Sequence, residues 1–413
     1  MENSANNYNL SKLGKTEVDS NEEKLLLDSS VVSFSSEGAI GSKIYYVGID
    51  CGSTQTRVTM VSHDDLSQEN LDNFFSVNCV VPSVSKSIPF DRQLTYKSSA
   101  LIDRLDSSFS VNNKELVRVV RGPKTLEFET KQNEFIASER KVDSTSLYYN
   151  IVDSIGYGLI QHSIETGVPV PSVVDLYLAI ALPPDDLRMS TALSKIKSEL
   201  QTVSWTWCSK KPINMRIKDF RMYSEPECQI KAYYSLAGEE MPEEVLIVEL
   251  GGRNGSTTVL INGAVIEQTA RSIEQSGSQL LTQLGDECVI AFGGKPPATR
   301  HLMHALKTGN LKIGDDYVDI VDIIKRCKIS VAENLFHRIQ SEVISRQTSL
   351  TSLTSLNIIV LGGRMFDSGA YDYSISQRFG ELLHEVSPRT KCVVLPENFI
   401  SRGAALMYMS EAL

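Results

Sequence analysis

The chain has 413 residues, of which 41% are hydrophobic and 22% are charged, and its formal net charge is −10 at pH 7. This length is too great for one ordinary hydrophobic core and suits two domains. The negative charge argues against a general affinity for nucleic acid, because binding to phosphates requires a basic surface. The negative charge does not exclude an interaction with DNA that is made through a basic adaptor protein.

The seven cysteines are scattered along the chain, and no two of them form a CxxC pair. This pattern is typical of reduced thiols and argues against a disulfide framework or a zinc site. No apolar run approaches the roughly 20 residues that a membrane-spanning helix requires, and the N-terminus lacks the apolar core of a signal peptide. We therefore expect a cytoplasmic protein without membrane contact.

Residues 1–42 are rich in Ser, Asn, Glu and Lys. Such a composition cannot bury enough apolar surface to offset the entropy that is lost on ordering. The segment is therefore predicted to be a flexible tail, and folded structure is predicted from Lys43 onward.

The first predicted unit is a hairpin. The β-branched and aromatic run Ile44–Ile49 predicts a strand, which leads into the polar loop Asp50–Gln55, and a returning strand is predicted at Thr56–Val61. A P-loop or a dinucleotide-binding fingerprint would instead place a helix after the glycine. Neither GxxxxGK(S/T) nor GxGxxG occurs in this setting.

Helical and strand patterns follow the first hairpin. Apolar residues at helical spacing predict helices at 147–166, 190–200 and 226–236, and apolar runs predict strands at 175–182 and 213–222. These elements separate the first hairpin from a second one that begins about 200 residues later.

The second hairpin repeats the pattern of the first. Val245–Leu250 predicts an apolar strand, the loop Gly251–Ser256 is rich in glycine, and Thr257–Ile261 predicts the returning strand. An Asn-Gly pair follows, which is the strongest short-range signal for a hairpin turn.

The C-terminal part is predicted to be mostly helical, with one further strand. Helices are predicted at 277–292 and 317–346, and residues 347–356 are predicted to form a loop rich in Ser and Thr. A third strand that ends in two glycines is predicted at 357–363, and a helix of small residues is predicted at 402–413.

Each hairpin loop has the features of a phosphate-binding turn. Backbone N–H groups in a tight turn can bind phosphate oxygens, and glycine permits both the turn and the close approach. A carboxylate precedes each loop, Asp50 in the first hairpin and Glu249 in the second. Two carboxylates that face each other across a cleft could hold the water shell of Mg²⁺, which prefers oxygen ligands. Either hairpin alone is common, but both together with Gly362-Gly363 form a more specific set.

The two hairpins and the third glycine-rich strand end resemble the phosphate-1, phosphate-2 and adenosine motifs of the superfamily of actins, sugar kinases and heat-shock chaperones. Within that superfamily the chain is most similar to the ParM/StbA plasmid-segregation actins, in the order and spacing of motifs from Lys43 almost to the end. The helix at 148–167, the strand at 176–183 with its Leu-Pro end, and Ile217–Asp219 shortly before Glu225 also resemble that family.

The resemblance implies an α/β, actin-like fold with two related domains. Each domain would contain a mixed β-sheet flanked by helices, with the nucleotide in the cleft between the domains. The first domain would comprise residues 43–243 and 397–413, and the second would comprise residues 244–396. The implied ligands are ATP, or alternatively GTP, and Mg²⁺.

The site residues also follow from the resemblance, by position. Asp50 and Glu249 would organise the magnesium ion and its waters, and Glu225 would orient the attacking water. Gly362 and Gly363 would give the purine and ribose a close approach to the backbone. The phosphates would be held by residues of both hairpins, which are Gly52, Ser53, Thr54, Gln55, Arg57, Gly251 and Gly252.

Three points qualify this assignment. Glu249 stands where the family usually has Asp, and Arg253–Gly255 lengthen the second loop. Arg57 stands where the family has a phosphate-contacting lysine. For Glu225 a second interpretation stays open, in which it only complements the dipole of the helix that it begins.

The resemblance further implies a nucleotide-dependent, filament-forming ATPase that segregates plasmid DNA. Its partners would be other copies of itself and a basic ParR-like adaptor, through which an acidic polymer would reach centromeric DNA without binding nucleic acid directly. A small-molecule, sugar-type kinase of the same superfamily is the first alternative, although no motif for a catalytic Asp or a sugar pocket is found. A cytoskeletal scaffold without a role in segregation is the second.

Overall fold

The structure is a computed structural model, in which residues 28–35, 42–66, 76–112, 114–128, 130, 132–133, 140–237, 242–252, 255–267, 269–273, 275–344, 356–363, 374–395 and 399–412 are described. The strands within these residues are β1 Lys43–Cys51, β2 Gln55–Ser62, β3 Val77–Pro82, β4 Ser85–Ser87, β5 Asp106–Val111, β6 Val117–Arg121, β7 Gln132–Asn133, β8 Val173–Leu182, β9 Thr202–Trp207, β10 Pro212–Ser224, β11 Glu244–Leu250, β12 Gly255–Ile261, β13 Ala264–Val265, β14 Arg271–Ile273, β15 Asn310–Ile313, β16 Asp316–Asp319, β17 Ile358–Gly362 and β18 Lys391–Val394.

The α-helices of the described residues are α1 Thr145–Thr166, α2 Pro184–Leu187, α3 Ser190–Glu199, α4 Glu225–Ala237, α5 Gly277–Phe292, α6 Thr299–Thr308, α7 Val321–Arg338, α8 Ile375–Val386 and α9 Phe399–Ala412. A turn of π-helix, Ile339–Ile344, continues α7. Over the same residues, no helix is both long enough and apolar enough to cross a membrane.

Two sheets with the same core topology organise the fold. In the described residues the larger sheet has the strand order β3-β2-β1-β8-β10-β9-β5-β6-β4-β7, and the smaller has the order β13-β12-β11-β17-β18, with β14 also paired to β12. In the larger sheet β1 pairs antiparallel with β2 and parallel with β8, which in turn pairs parallel with β10. In the smaller sheet β11, β12, β17 and β18 repeat this arrangement. The prediction of an α/β fold with two related mixed sheets is confirmed.

The first strand of each hairpin is buried on both faces. In β1, Val47 and Ile49 belong to the core of the larger sheet, whereas Tyr46 belongs to a cluster that contains residues of both sheets together with α4 and α9. In β11, Leu246 lies in the core of the smaller sheet and Ile247 in the shared cluster. A strand that is covered on both faces has a continuous run of apolar residues. This is why β1 and β11 could be predicted from the sequence.

The helix α9 packs closely against β1 and α4. A Cβ atom at Gly48 in β1 would lie 1.9 Å from the carbonyl oxygen of Ser401, and one at Gly403 in α9 would lie 1.7 Å from the carbonyl oxygen of Cys228 in α4. Both distances are far below van der Waals contact. Glycine is therefore required at these two positions by the close approach of one backbone to another.

We expect Gly403→Ala to destabilise the protein, because the added methyl group meets a backbone carbonyl that cannot move without shifting α4. Overpacking of this kind typically costs about 1–3 kcal/mol in the free energy of unfolding. The matched control is Gly380→Ala in α8, where an added Cβ meets nothing within 4 Å and the gain in helix propensity is up to about 1 kcal/mol. Urea denaturation measures both, and equal stability of the two variants would contradict the close packing.

The prediction of a flexible tail over residues 1–42 is wrong for residues 28–35. Phe34 forms a β-bridge with Val170, and its ring stacks with that of Trp207 at 6.5 Å between centroids. Phe34 thereby packs against the core of the larger sheet. The rest of the predicted tail up to residue 41 lies outside the described residues.

The predicted helix over 317–346 begins too early. Residues 316–319 form β16, which pairs antiparallel with β15, and the helix α7 starts only at Val321. The Asp319 carboxylate accepts a hydrogen bond from the Val321 backbone N–H at 2.9 Å, so the strand ends in a polar turn that precedes the helix. Residues 345–355, which include most of the predicted Ser/Thr-rich loop, lie outside the described residues.

Candidate functional site

The alternation of side chains along β1 and β11 brings two carboxylates to the same space. Asp50 projects from the same face of β1 as Tyr46, and Glu249 projects from the same face of β11 as Ile247. Tyr46 and Ile247 both belong to the cluster that the two sheets share. Asp50 is only 4% exposed. The two acidic residues predicted to organise magnesium therefore point toward the region between the sheets.

The glycine loops of the two hairpins touch each other. A Cβ atom at Gly252 would lie 3.0 Å from Ser53 Oγ and 3.7 Å from Thr54 Cγ2. Loops that are about 200 residues apart in sequence thus form one surface at the ends of their strands. A ligand placed at this surface would contact both halves of the molecule.

Hydrogen bonds beside the loops also join the two halves. Arg188, which follows α2, donates from Nη2 to the carbonyl oxygens of Glu267 at 2.8 Å and Ala270 at 2.9 Å. Asp185 in α2 accepts a hydrogen bond from Ser272 Oγ in β14 at 2.7 Å. These contacts connect α2 and the residue after it to residues of the smaller sheet's half.

Arg57, predicted to bind phosphate, is paired with Asp50. The two residues are cross-strand partners in the first hairpin, and Arg57 Nη1 lies 3.2 Å from Asp50 Oδ2. The Arg57 side chain is 12% exposed. Asp50 and Arg57 thus form one mostly buried unit at the base of the loop.

Ser83 fixes the backbone of the first loop. Its Oγ donates to the Gly52 carbonyl oxygen at 2.5 Å, and its backbone N–H donates to the Thr54 carbonyl oxygen at 3.0 Å. Arg121 Nη1 donates to the carbonyl oxygen of Ser83 at 3.0 Å. Ser83 was not predicted to belong to the site, because the preceding strand Val77–Pro82 was not predicted from the sequence either.

Arg121 belongs to a fully buried ion pair behind the loop. Its Nε lies 2.7 Å from Asp153 Oδ2, and both side chains are 0% exposed. Arg121 also donates to Asn150 Oδ1 at 2.7 Å and to the Tyr149 carbonyl oxygen at 2.9 Å. Asp153 Oδ1 accepts a hydrogen bond from Trp205 Nε1 at 2.9 Å. A buried pair can form at low cost only when its remaining donors and acceptors are satisfied in this way.

The second loop is held by the first turn of α5. The backbone N–H of Gly277 donates to the Gly251 carbonyl oxygen at 3.0 Å, and that of Ser278 donates to the Gly252 carbonyl oxygen at 2.8 Å. The backbone N–H groups in the first turn of a helix have no acceptor within the helix, and here two of them support the loop. Residues 253–254 of the loop lie outside the described residues.

Glu225, the predicted water-orienting residue, begins α4 and is paired with Lys141. Lys141 Nζ lies 2.8 Å from Glu225 Oε1, and the side chains are 21% and 6% exposed. Burial alone would lower the pKa of Lys141, but the attraction of three carboxylates outweighs this effect and raises it. These carboxylates are Glu225, Asp50 and Glu249. No motif marked Lys141 in the sequence analysis, because its role arises from tertiary contacts.

Glu249 shares this acidic region with Glu225. Burial raises the pKa of Glu249 well above its usual value, and repulsion from Glu225 and Asp50 raises it further, while Lys141 opposes the shift. A hydrogen bond in which the neutral Glu249 carboxyl donates to the Glu225 carboxylate adds to this shift. The three acidic residues predicted for the site are therefore close enough to influence one another.

Steric reasons explain why glycine occupies positions 362 and 363, apart from any contact with a purine. A Cβ atom at Gly362 would lie 2.3 Å from Gln229 Nε2, and one at Gly363 would lie 2.5 Å from the Leu250 carbonyl oxygen. Gly363 also has a φ of +93°, which disfavours residues with a side chain. Gln229, one turn after Glu225 in α4, thus lies against the third glycine-rich strand end.

The carboxylates fit a magnesium ion that is bound mostly by water and phosphate. The described residues contain no group of three or more His, Cys, Asp or Glu side chains that could hold a metal ion by themselves. Asp50 and Glu249 nevertheless face the same space, since each lies on the strand face that contributes to the cluster shared by the two sheets. Mg²⁺ typically keeps several waters and binds through one or two carboxylates together with substrate phosphates.

No family model matches the sequence, and no curated protein matches it either. Solved structures do match the fold. An archaeal actin homologue has a TM-score of 0.64 and 12% identity, with 89% of this chain and 99% of that chain covered. The ParM of Bacillus thuringiensis with AMPPNP has a TM-score of 0.59 and 13% identity, with 90% and 99% covered. The ParM of a 15-stranded filament from Clostridium botulinum has a TM-score of 0.60 and 13% identity, with 90% and 100% covered. The chain has the actin-like fold of these ParM and archaeal proteins.

Proposed function

We propose that the protein is an actin-type ATPase that assembles into filaments when a nucleotide binds between its two halves. The contact between Ser53 Oγ and Gly252 carries this proposal, because it places both glycine loops where one ligand can touch them together. A ligand that contacts both halves can favour one relative arrangement of the halves over another. The surfaces available for self-association would change with that arrangement.

An adenine nucleotide is the proposed ligand. The archaeal actin homologue has been observed in complex with ADP, and the ParM of Bacillus thuringiensis with AMPPNP. These two structures favour ATP over GTP for this chain. The hydroxyl groups of Ser53 and Thr54 and the backbone of Gly52, Gly251 and Gly252 would receive the phosphates, since glycine loops allow close approach of backbone N–H groups.

The three acidic residues would have different roles in hydrolysis. Asp50 and Glu249 would hold a magnesium ion through its waters, and when bound the ion would neutralise charge on the phosphates. Glu225 would accept a hydrogen bond from the attacking water and orient it toward the γ-phosphorus. The water oxygen would bond to the γ-phosphorus while the bond from that phosphorus to the bridging oxygen breaks; ADP would leave with the electron pair of that bond, and the proton of the water would pass to the released phosphate.

The proposed cellular role is the segregation of plasmid DNA in the cytoplasm. The net charge of −10 supports a basic ParR-like adaptor between the filament and centromeric DNA, because an acidic polymer repels phosphates. The domain limits that accompany this proposal are residues 43–243 with 397–413 for the first domain and 244–396 for the second.

We expect filaments to form with ATP and to be absent without nucleotide. Light scattering and electron microscopy of the full chain with ATP, ADP and no nucleotide test this, at tens of micromolar protein, a rough range suited to weak interfaces. The Asp50→Ala variant is the control, since it should stay monomeric with ATP while keeping the fold. A wild-type protein that stays monomeric under all three conditions would contradict the proposal.

A further inference from the structure

Lys141 lies among the acidic side chains of the candidate site, and the proposed division of roles in hydrolysis does not include it. We propose that Lys141 is a positioning residue for hydrolysis, whose ammonium group holds the Glu225 carboxylate in the orientation that aligns the attacking water. The inference rests on the proposed function. It concerns the geometry of Glu225 and not the binding of the nucleotide.

The ion pair has the distance and burial that such a role needs. Lys141 Nζ donates to Glu225 Oε1 at 2.8 Å, and the side chains are only 21% and 6% exposed. A mostly buried pair is screened little by salt and is held more firmly than an exposed one. A carboxylate has two oxygens, so one can be held by lysine while the other accepts a hydrogen bond from water.

The backbone of Lys141 is itself anchored. Lys141 begins a 3₁₀ turn, Lys141–Asp143, and its carbonyl oxygen accepts from the Ser144 N–H at 3.1 Å. Its backbone also hydrogen-bonds to the buried carboxylate of Asp186 in α2. Ser144 is the N-cap of α1, whose residues are buried along most of its length. A side chain that extends from a rigid support can fix the position of its partner.

The surrounding charges explain why a cation is needed at this point. Asp50, Glu225 and Glu249 bring three carboxylates into one region, and the attraction of all three acts on Lys141. Without the lysine, the buried Glu225 carboxylate would have no cation to offset the cost of its burial. It would lose its only described ion-pair partner among the residues that the structure covers, and with it the contact that fixes the position of Oε1.

A double-mutant cycle on the full-length chain tests the inference. The variants are Lys141→Met, Glu225→Gln and the two combined, with kcat and KM for Mg-ATP as the readouts. We expect Lys141→Met to lower kcat about 10–100-fold, the scale expected for a misplaced catalytic group, with KM changed less than about threefold because binding groups are untouched. The double variant should be no slower than Glu225→Gln, because Lys141 acts through Glu225.

Two further variants serve as a control for loss of a lysine and as a test of the charge at position 141. Lys43→Met is the matched control, because it removes a lysine from an exposed ion pair with Asp64 at 2.6 Å and should leave kcat unchanged. Lys141→Arg keeps the charge in a different shape, so its kcat should lie between those of Lys141→Met and the wild type. If Lys141→Met does not fold, Lys141→Arg takes its place in the cycle, and a wild-type kcat in that variant would overturn the inference.

Each remaining result has a defined meaning. A higher KM with unchanged kcat would show that Lys141 binds nucleotide and does not position Glu225. Effects that multiply in the double variant would show that the two residues act independently. A wild-type chain that binds ATP without hydrolysing it would reject the proposed ATPase together with this inference. Normal hydrolysis by a folded Lys141→Met variant would reject the inference alone.

Discussion

Replacing Glu225 with glutamine is expected to slow ATP hydrolysis by about 10²–10⁴-fold, the usual contribution of a positioned acid–base group. Nucleotide affinity should change little, because a residue that orients water acts mainly in the transition state. Glutamine keeps the size of the side chain and an oxygen that can accept from Lys141, whose Nζ lies 2.8 Å from Glu225 Oε1. Filaments of this variant should form with ATP and persist, since the step that permits disassembly is lost.

The alternative role of Glu225 makes a different prediction. If Glu225 only complements the dipole of α4, the variant should lose about 0.3–1 kcal/mol of stability and keep normal turnover. Glu227 provides the matched control, because it lies in the same first turn and accepts a hydrogen bond from the Ser224 N–H at 3.3 Å. Phosphate release and melting temperature are measured on both variants. Equal phosphate release by Glu225→Gln and Glu227→Gln would remove Glu225 from the reaction.

Replacing Asp153 with asparagine is expected to destabilise the protein by about 3–5 kcal/mol, because removal of one partner leaves Arg121 buried with its charge uncompensated. The pair is 0% exposed on both sides. Removing a partner from an exposed pair should cost much less, and Asp64→Asn, which breaks the pair with Lys43, is the matched control at about 0–1 kcal/mol.

Urea denaturation followed by circular dichroism measures both aspartate variants. Similar free energies of unfolding for Asp153→Asn and Asp64→Asn would contradict the importance of the buried pair. Because Arg121 also donates to the Ser83 carbonyl oxygen at 3.0 Å, we further expect Asp153→Asn to weaken ATP binding in the fraction that stays folded. Unchanged affinity in that fraction would show that the first loop does not depend on the pair.

The elements that were predicted correctly are those with strong local signals. Ile44–Ile49 and Val245–Leu250 are apolar throughout because both faces of β1 and β11 are buried, and the loops after them contain the glycines that turns require. These two hairpins carried the prediction of the actin-like fold. They also led to the prediction of two phosphate-binding loops, which stays a prediction; the structure shows that Ser53 and Gly252 of these loops lie close together.

Other elements lacked such signals. Asp106–Val111 and Thr202–Trp207 mix polar and apolar residues, and the two strands become regular only by pairing with each other across about 90 residues. Phe34 lies in a polar segment, and its position depends on Trp207, which lies about 170 residues later in the sequence. No local pattern encodes partners at such distances.

The supporting residues of the site were missed for the same reason. Ser83, Lys141 and Gln229 contact the site from separate elements, and each is an ordinary polar residue in its own neighbourhood. Their importance depends on which loop or carboxylate the fold places beside them. By contrast, the cross-strand partner of a site carboxylate in a hairpin can be found from the sequence by counting along the two strands, as for Arg57 opposite Asp50.

The close packing of α9 against β1 and α4 has a consequence for synthesis. The helix Phe399–Ala412 covers β1, which begins at Lys43, and about 350 residues separate the two in sequence. During translation, the shared cluster cannot close until this helix has left the ribosome. Tyr46 and its neighbours would stay exposed for that time, when apolar surface is prone to aggregation. Chaperone binding to nascent chains should therefore persist until the codons for Phe399–Ala412 have been read and the helix has emerged.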